Sequence, residues 1–296
     1  MMFELMCWNN GKRFRAHDQE GLFYRALVPS DSRIILIMIH GAGQHSGQFF
    51  DLGEFCFRHS IAFYALDLRG FGQSTGQRGH INTFSQYLKD LDDFISVVRK
   101  QHEPIPLFLL GHSLGGIIVI RYVQERQNNV QGIILSAPAL KLRFQIPKTL
   151  RFACQALSWL TPELCFDLNM WSVFLSKLGF ELRMQNGVST EIEPSFITYY
   201  SVRWCNEFLI NANYALKKAG AIQNAVLSLC GEEDPLVDPD SVREFHDCLK
   251  VKDKKFISIS NAKHRLLQDK HNTPNYQYII GWLNERIEVK YCDSHE

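Results

Sequence analysis

Residues Pro106–Gly116 read PLFLLGHSLGG, and a change of pattern inside this stretch decides the fold. The apolar run Pro106–Leu110 is what a strand buried on both faces requires, and Leu114–Gln127 has the spacing of a helix. Between them, Gly111-His112-Ser113-Leu114-Gly115 puts Ser113 on a sharp strand-to-helix turn. A glycine two residues to either side lets strand and helix approach without Cβ clashes, and the strained turn presents the serine hydroxyl. The bland alternative is an ordinary turn with an incidental serine.

Working outward, further short apolar runs lie at Arg33–Ile39, Ile61–Leu66, Val130–Ser136, Ala225–Cys230 and Lys255–Ser258. Helical patterns separate them: Thr83–His102 with Thr83 as its N-cap, Val242–Leu249, and a final helix opened by Thr273-Pro274. Strand and helix in alternation predict an α/β fold with a mostly parallel, doubly wound sheet. Arg13–Asp18 and Gly21–Val28 are candidates for antiparallel edge strands. The alternation breaks between about Leu140 and Gly220, a stretch rich in Leu, Phe and Trp. That stretch predicts a helical cap, without strands, in which Thr161-Pro162 starts a new helix. The expected division is a core domain, 1–139 and 221–296, and a cap insertion, 140–220.

Composition narrows the partners. The 296 residues are 46% hydrophobic and 21% charged, with a formal net charge of +1, so nothing global calls for nucleic acid. The N-terminal residues lack the basic and apolar regions of a signal peptide, and no apolar run approaches the ~18 residues of a membrane span. Eight cysteines are scattered without a C-x-x-C pair, which favours reduced thiols in a cytoplasmic setting.

A serine hydroxyl is a poor nucleophile until a base takes its proton and a third group orients that base. In strand–turn–helix nucleophile sites the acid and then the histidine follow the serine along the chain, each after a later strand. Asp234 follows Ala225–Cys230, and His264 follows the last strand. Glu232, Glu233, Asp238 and Asp240 are rival acids near Asp234. Among later histidines, His246 falls inside a helix, and His271 and His295 lie far past the last strand. His40-Gly41-Ala42-Gly43 follows the first long strand, as a turn whose backbone N–H groups face a reacting oxygen. With the N–H of Leu114, that of Ala42 forms a candidate oxyanion hole. His40 and His45, five residues apart without nearby carboxylates, do not make a metal site, and no metal or cofactor is expected.

The segments His40–Phe49, Asp67–Ile81, Gly111–Gly116, Leu135–Leu140, Gly231–Pro239 and Ala262–Leu267 together resemble the monoacylglycerol lipase and lysophospholipase family of serine α/β-hydrolases. The resemblance covers most of the chain outside the insertion. It implies the α/β-hydrolase fold, a triad of Ser113, Asp234 and His264, an oxyanion hole of Ala42 and Leu114, and a lipid-like monoester substrate. It makes Asp67–Ser74 a structural turn and gives Arg69 no catalytic part. Arg265 departs from the pattern, since an acidic residue commonly follows the histidine in this family.

The insertion is where such proteins differ in substrate. Lys141, Arg143, Lys148 and Arg151 form a basic edge beside Phe152, Leu157, Trp159, Leu160, Leu164, Phe166, Met170, Trp171, Val173 and Phe174. That surface suits peripheral contact with an anionic membrane; the competing reading packs the apolar residues onto the core domain. An aminopeptidase of the same fold is the alternative enzyme, using cap acids among Glu163, Asp167, Glu181, Glu191 and Glu193 to bind a free amine. A non-catalytic binding protein is the alternative from another class. Dehalogenase and epoxide hydrolase readings call for an aspartate where Ser113 stands.

Overall fold

The computed structural model describes residues 8, 10–102, 104–126, 130–144, 147–167, 197–268 and 273–292. Strands β1 (Lys12–Arg15), β2 (Gly21–Leu27), β3 (Ile34–Ile39), β4 (Ile61–Leu66), β5 (Leu107–His112), β6 (Gly132–Ser136), β9 (Ala225–Gly231) and β10 (Lys254–Ile259) form one sheet. Its order is β1-β2-β4-β3-β5-β6-β9-β10. All neighbours from β4 to β10 are parallel, and β1 and β2 add antiparallel at one edge.

Every residue of β3, β4, β5 and β6 is buried, which is why their sequences run apolar without alternation. Odd-numbered β3 residues Ile35, Ile37 and Ile39 face a core shared with helices α2 (Ser85–Arg99) and α3 (Leu114–Glu125). Leu36 and Met38 face the opposite core, against α1 (Phe50–Phe57) and α7 (Thr273–Cys292). Period-two alternation along a strand thus distributes one apolar run between two helix layers. Trp282 of α7 is fully buried against Phe108 of β5, with ring centroids 5.7 Å apart.

Two local expectations are corrected. Helix α2 begins at Ser85, preceded by Phe84 with no side-chain N-cap, so Thr83 does not cap it. Instead Gln86 Oε1 accepts the N–H groups of Asn82 (2.8 Å) and Thr83 (3.3 Å), taking over the satisfying of exposed donors ahead of the helix. Thr161 ends a helix rather than starting one: it follows α4 (Lys148–Leu160), and its N–H donates to Leu157 O at 2.7 Å. Pro162 gives the reason, because a residue before proline is pushed out of helical geometry, and Thr161 sits at φ −139°, ψ 65°.

The stretch between β6 and β9 also contains strands, contrary to the expectation. β7 (Cys165–Asp167) pairs antiparallel with β8 (Tyr199–Ser201), with Cys165 opposite Ser201. From β8 the chain enters α5 (Val202–Lys217), whose first turn is capped by Ser201 Oγ accepting from Trp204 N at 3.1 Å. Helix α5 packs on both α3 and α4, and Trp204 donates its indole N–H to Tyr87 of α2 at 2.9 Å. It therefore supplies the helix that a parallel crossover from β6 to β9 needs. Met170, Trp171, Val173, Phe174, Glu181, Glu191 and Glu193 lie outside the described residues.

Candidate active site

The site forms at the C-terminal ends of the parallel strands, where α/β sheets place their ligands. β5 ends at His112, and Ser113 takes φ +53°, ψ −113° before α3 begins at Leu114. Positive φ is costly for a residue with a Cβ, so the turn survives only where its surroundings compel it. Ser113 N donates to Ser136 O at 3.0 Å, and Ser113 O accepts from Ala139 N at 3.2 Å. Gly115 is compelled by space: a Cβ there would lie 2.0 Å from Ile39 O.

His264 Nε2 lies 3.0 Å from Ser113 Oγ, and His264 Nδ1 lies 2.7 Å from Asp234 Oδ2. Asp234 is buried, and its other oxygen accepts the N–H groups of Leu236 (2.8 Å) and Val237 (2.9 Å). A carboxylate accepting at both oxygens requires the proton on His264 Nδ1, which leaves the Nε2 lone pair facing the Ser113 hydroxyl. Two of the rival acids are engaged elsewhere. Asp238 caps helix α6 (Pro239–Cys248), in whose first turn Asp240 lies, and Glu232 accepts from Ser258 Oγ at 3.1 Å. The side chain of Glu233 is exposed. His246 is buried within α6 against Ser228, and His271 and His295 lie outside the described residues.

Ala42 lies in the turn after β3, and Leu114 opens α3 directly after Ser113. The turn adjoins the serine, since a Cβ built at Gly41 would meet Ser113 Cβ at 3.0 Å. Buried polar side chains hold this turn. Asp67 is fully buried and accepts from Ser46 N (2.6 Å) and Gln73 N (2.7 Å), tying the loop after β3 to the loop after β4. His40 is buried between Gly41 O and Leu68 N, and burial pulls its pKa down to about 4, with the Asp67 carboxylate and the Gly41 carbonyl opposing. His112 is also buried, its ring centroid 4.9 Å from that of His264, and burial followed by that neighbour drives its pKa well down. The sequence signal was only the placing of these histidines beside glycines.

Neither His40 nor His45 is arranged as a metal ligand. Both His40 nitrogens face backbone groups, and His45 Nδ1 accepts from Gly47 N at 3.1 Å. His17, Asp18 and Asp90 cluster elsewhere, but Arg69 donates to Asp90 through two nitrogens (2.6 and 2.7 Å) and to Asp18 at 2.7 Å. Arg69 therefore serves an ion-pair network with Asp90 and Asp18.

The family model described as serine aminopeptidase, S33 (Hydrolase_4) matches residues 30–271, which spans β5, β9, β10 and all three residues of the relay. The chain belongs to this family of serine hydrolases. It is 28% identical over 258 residues to phospholipase YtpA of Bacillus subtilis, covering 86% of this chain and 96% of the relative. It is 29% identical over 278 residues to monoglyceride lipase of Rattus norvegicus, covering 92% and 89%. Among solved structures, the monoacylglycerol lipase of Paleococcus ferrophilus matches with a TM-score of 0.74 at 27% identity, over 88% of this chain and 98% of that one. The protein is thus a serine hydrolase of the α/β-hydrolase fold.

Proposed function

We propose that this protein hydrolyses lipid-like carboxylic monoesters, such as a monoacylglycerol or lysophospholipid, with Ser113, His264 and Asp234 as its catalytic triad. The observation that carries the reading is the continuous relay from Asp234 through His264 to Ser113. His264 Nε2 takes the hydroxyl proton as Ser113 Oγ bonds to the ester carbonyl carbon. The N–H groups of Ala42 and Leu114 hold the resulting oxyanion. Collapse breaks the bond to the alcohol, which leaves with the proton from His264, and acyl-Ser113 remains. Water, deprotonated by His264, repeats the sequence and releases the carboxylic acid. Asp234 keeps the imidazole in the correct tautomer and stabilises its protonated form.

The choice of lipid over peptide rests on the relatives and on the insertion, where residues 140–220 act as the cap and α5 packs on α3 and α4. Phe152, Trp159 and Leu160 of α4 are 74%, 74% and 78% exposed, and Leu164 is 52% exposed. Such an apolar face supports peripheral contact with a lipid surface. Of the basic edge, Lys141 is exposed and pairs with Glu244 at 2.5 Å, and Arg143 is exposed with its backbone N–H donating to Leu236 O at 2.9 Å. Arg151 stays exposed beside Phe152. Among the described residues, no helix is long and apolar enough to cross a membrane.

The description of the matching family favours a second reading, an aminopeptidase. Purified protein assayed on p-nitrophenyl esters from acetate to palmitate, 1-monoacylglycerol, lysophosphatidylcholine and an amino-acid p-nitroanilide separates the two. Ester turnover peaking at medium or long chains and absent in Ser113→Ala supports the lipid reading. Anilide turnover with feeble ester cleavage moves the assignment to a peptidase.

A further inference from the structure

The carbonyl of Gly41 is held from two directions. His40 Nδ1 lies 2.7 Å from it, and Gln44 N donates to it at 3.2 Å. Leu68 N donates to the far ring nitrogen, His40 Nε2, at 3.0 Å. A backbone N–H can only donate and a carbonyl can only accept, so these two partners dictate the tautomer: the proton is on Nδ1 and points at Gly41 O. On the other side of the same residue, Gly41 N donates to Gln44 Oε1 at 2.8 Å. His40 and the Gln44 side chain are both buried.

The next atom along the chain is the nitrogen of Ala42. The Gly41–Ala42 peptide unit is planar and trans, so its C=O and its N–H point in opposite directions across one rigid plate. Fixing the oxygen therefore fixes the direction of the N–H. Gly41 itself borders the nucleophile, for a Cβ placed on it would lie 3.0 Å from Ser113 Cβ and 3.3 Å from His112 Cδ2.

We propose that His40 and Gln44 are positioning residues, which aim the Ala42 N–H at the developing oxyanion by clamping the peptide it shares with Gly41. The proposal rests on the reading of Ser113 as nucleophile and Ala42 as oxyanion donor. Neither side chain touches the substrate. Their contribution is that the donor is already oriented before charge appears on the carbonyl oxygen, so no reorganisation is needed in the transition state. The clamp is anchored beyond the turn as well, because Leu68 follows Asp67, which accepts from Ser46 N of the same loop at 2.6 Å.

Three variants separate aiming from mere packing. His40→Asn keeps an amide donor near the Nδ1 position. His40→Gln carries its amide out to the Nε2 position and surrenders Gly41 O. Gln44→Met removes the acceptor at nearly constant length. Each is measured for kcat and KM on a p-nitrophenyl ester, for its melting midpoint, and for the affinity of an alkyl trifluoromethyl ketone, whose serine adduct bears an oxyanion.

Complete loss of one oxyanion donor costs about 10²–10³ in kcat, so misaiming it lowers kcat by roughly 10–100-fold in His40→Gln and Gln44→Met. KM stays within about threefold, ketone affinity falls in parallel with kcat, and His40→Asn recovers most of the rate. Folded His40→Gln and Gln44→Met with wild-type kcat and ketone affinity would overturn the proposal, as would a kcat loss without a matching loss of ketone affinity. If His40→Gln does not fold, Gln44→Met decides by the same criteria. Failure of the underlying reading looks different: wild-type protein then shows no Ser113-dependent turnover and takes no ketone, and the proposal falls with it.

Discussion

Asp234 holds His264 with one carboxylate oxygen at 2.7 Å and is itself held, through the other, by the N–H groups of Leu236 and Val237 at 2.8 and 2.9 Å. The acid is thus gripped by its own loop, and the histidine is oriented by a group that cannot swing. The two loops also touch through backbone, with Glu233 N donating to Ala262 O at 3.0 Å.

Asp234→Asn tests that grip. The Asn carbonyl can still accept from Leu236 and Val237, which turns its NH₂ toward His264 Nδ1 and forces the wrong tautomer. We expect kcat to fall about 10²–10⁴-fold with KM and melting midpoint little changed. Steady-state kinetics on a p-nitrophenyl ester check this, and retention of more than a tenth of the wild-type kcat would contradict it.

Gly231 sits where the acid and histidine loops meet. A Cβ there would lie 2.4 Å from Ala262 O and 2.7 Å from Lys263 O. Gly231→Ala should therefore cost about 1–3 kcal/mol by overpacking and depress kcat through both loops at once. Gly281, on the exposed side of α7, meets nothing within 4 Å. Gly281→Ala should instead add about 0.5–1 kcal/mol, as helix propensity predicts. Urea unfolding of the pair distinguishes a local packing cause from a general intolerance of alanine.

Stability should decline on mild acidification. The folded-state pKa of His40, about 4, lies below its ordinary value of 6.5. Between these two values the unfolded chain takes up a proton that the native site refuses. Stability is therefore complete above about pH 6.5 and falls by up to about 3 kcal/mol as the pH approaches 4. Buried His112 acts in the same direction. Denaturant titrations at pH 7.5 and pH 5 should show the loss, and His40→Asn should flatten it; an equal slope in the variant would remove His40 as a cause.

The exposed face of α4 makes a prediction about surfaces. Replacing Phe152, Trp159 and Leu160 with Ser, or Arg151 with Glu, should reduce sedimentation with anionic vesicles. Exposed positions of this kind contribute little to folding, so stability should stay within about 0.5 kcal/mol of wild type. Vesicle binding by the triple variant equal to that of the wild type would sink the membrane reading.

Most of the sheet was legible because its signals are local. A run such as IILIMI at Ile34–Ile39 is apolar throughout because it is buried on both faces, and no distant residue is needed to read that. The elbow at Ser113 was legible for the same reason: strand, glycine, serine, glycine and helix are contiguous. The errors were local signals overruled by neighbours. Thr161-Pro162 has the composition of a helix start, but a helix already occupied the preceding turns, and the proline then served to end it. β7 and β8 escaped notice because each is three residues long, and their pairing joins segments far apart in the chain.

By itself, then, the sequence determined the alternation of strand and helix, the strained turn at Ser113, and the order serine, acid, histidine. These are properties of spacing, and spacing is written along the chain. Only the tertiary structure decided which acid meets His264, and which nitrogen of His40 carries its proton. The Ser113–His264 contact spans 151 positions, and its 3.0 Å separation follows from three strands delivering their ends to one rim of a packed sheet. Glu232, Glu233 and Asp234 stand side by side in sequence; burial and two backbone N–H groups select Asp234.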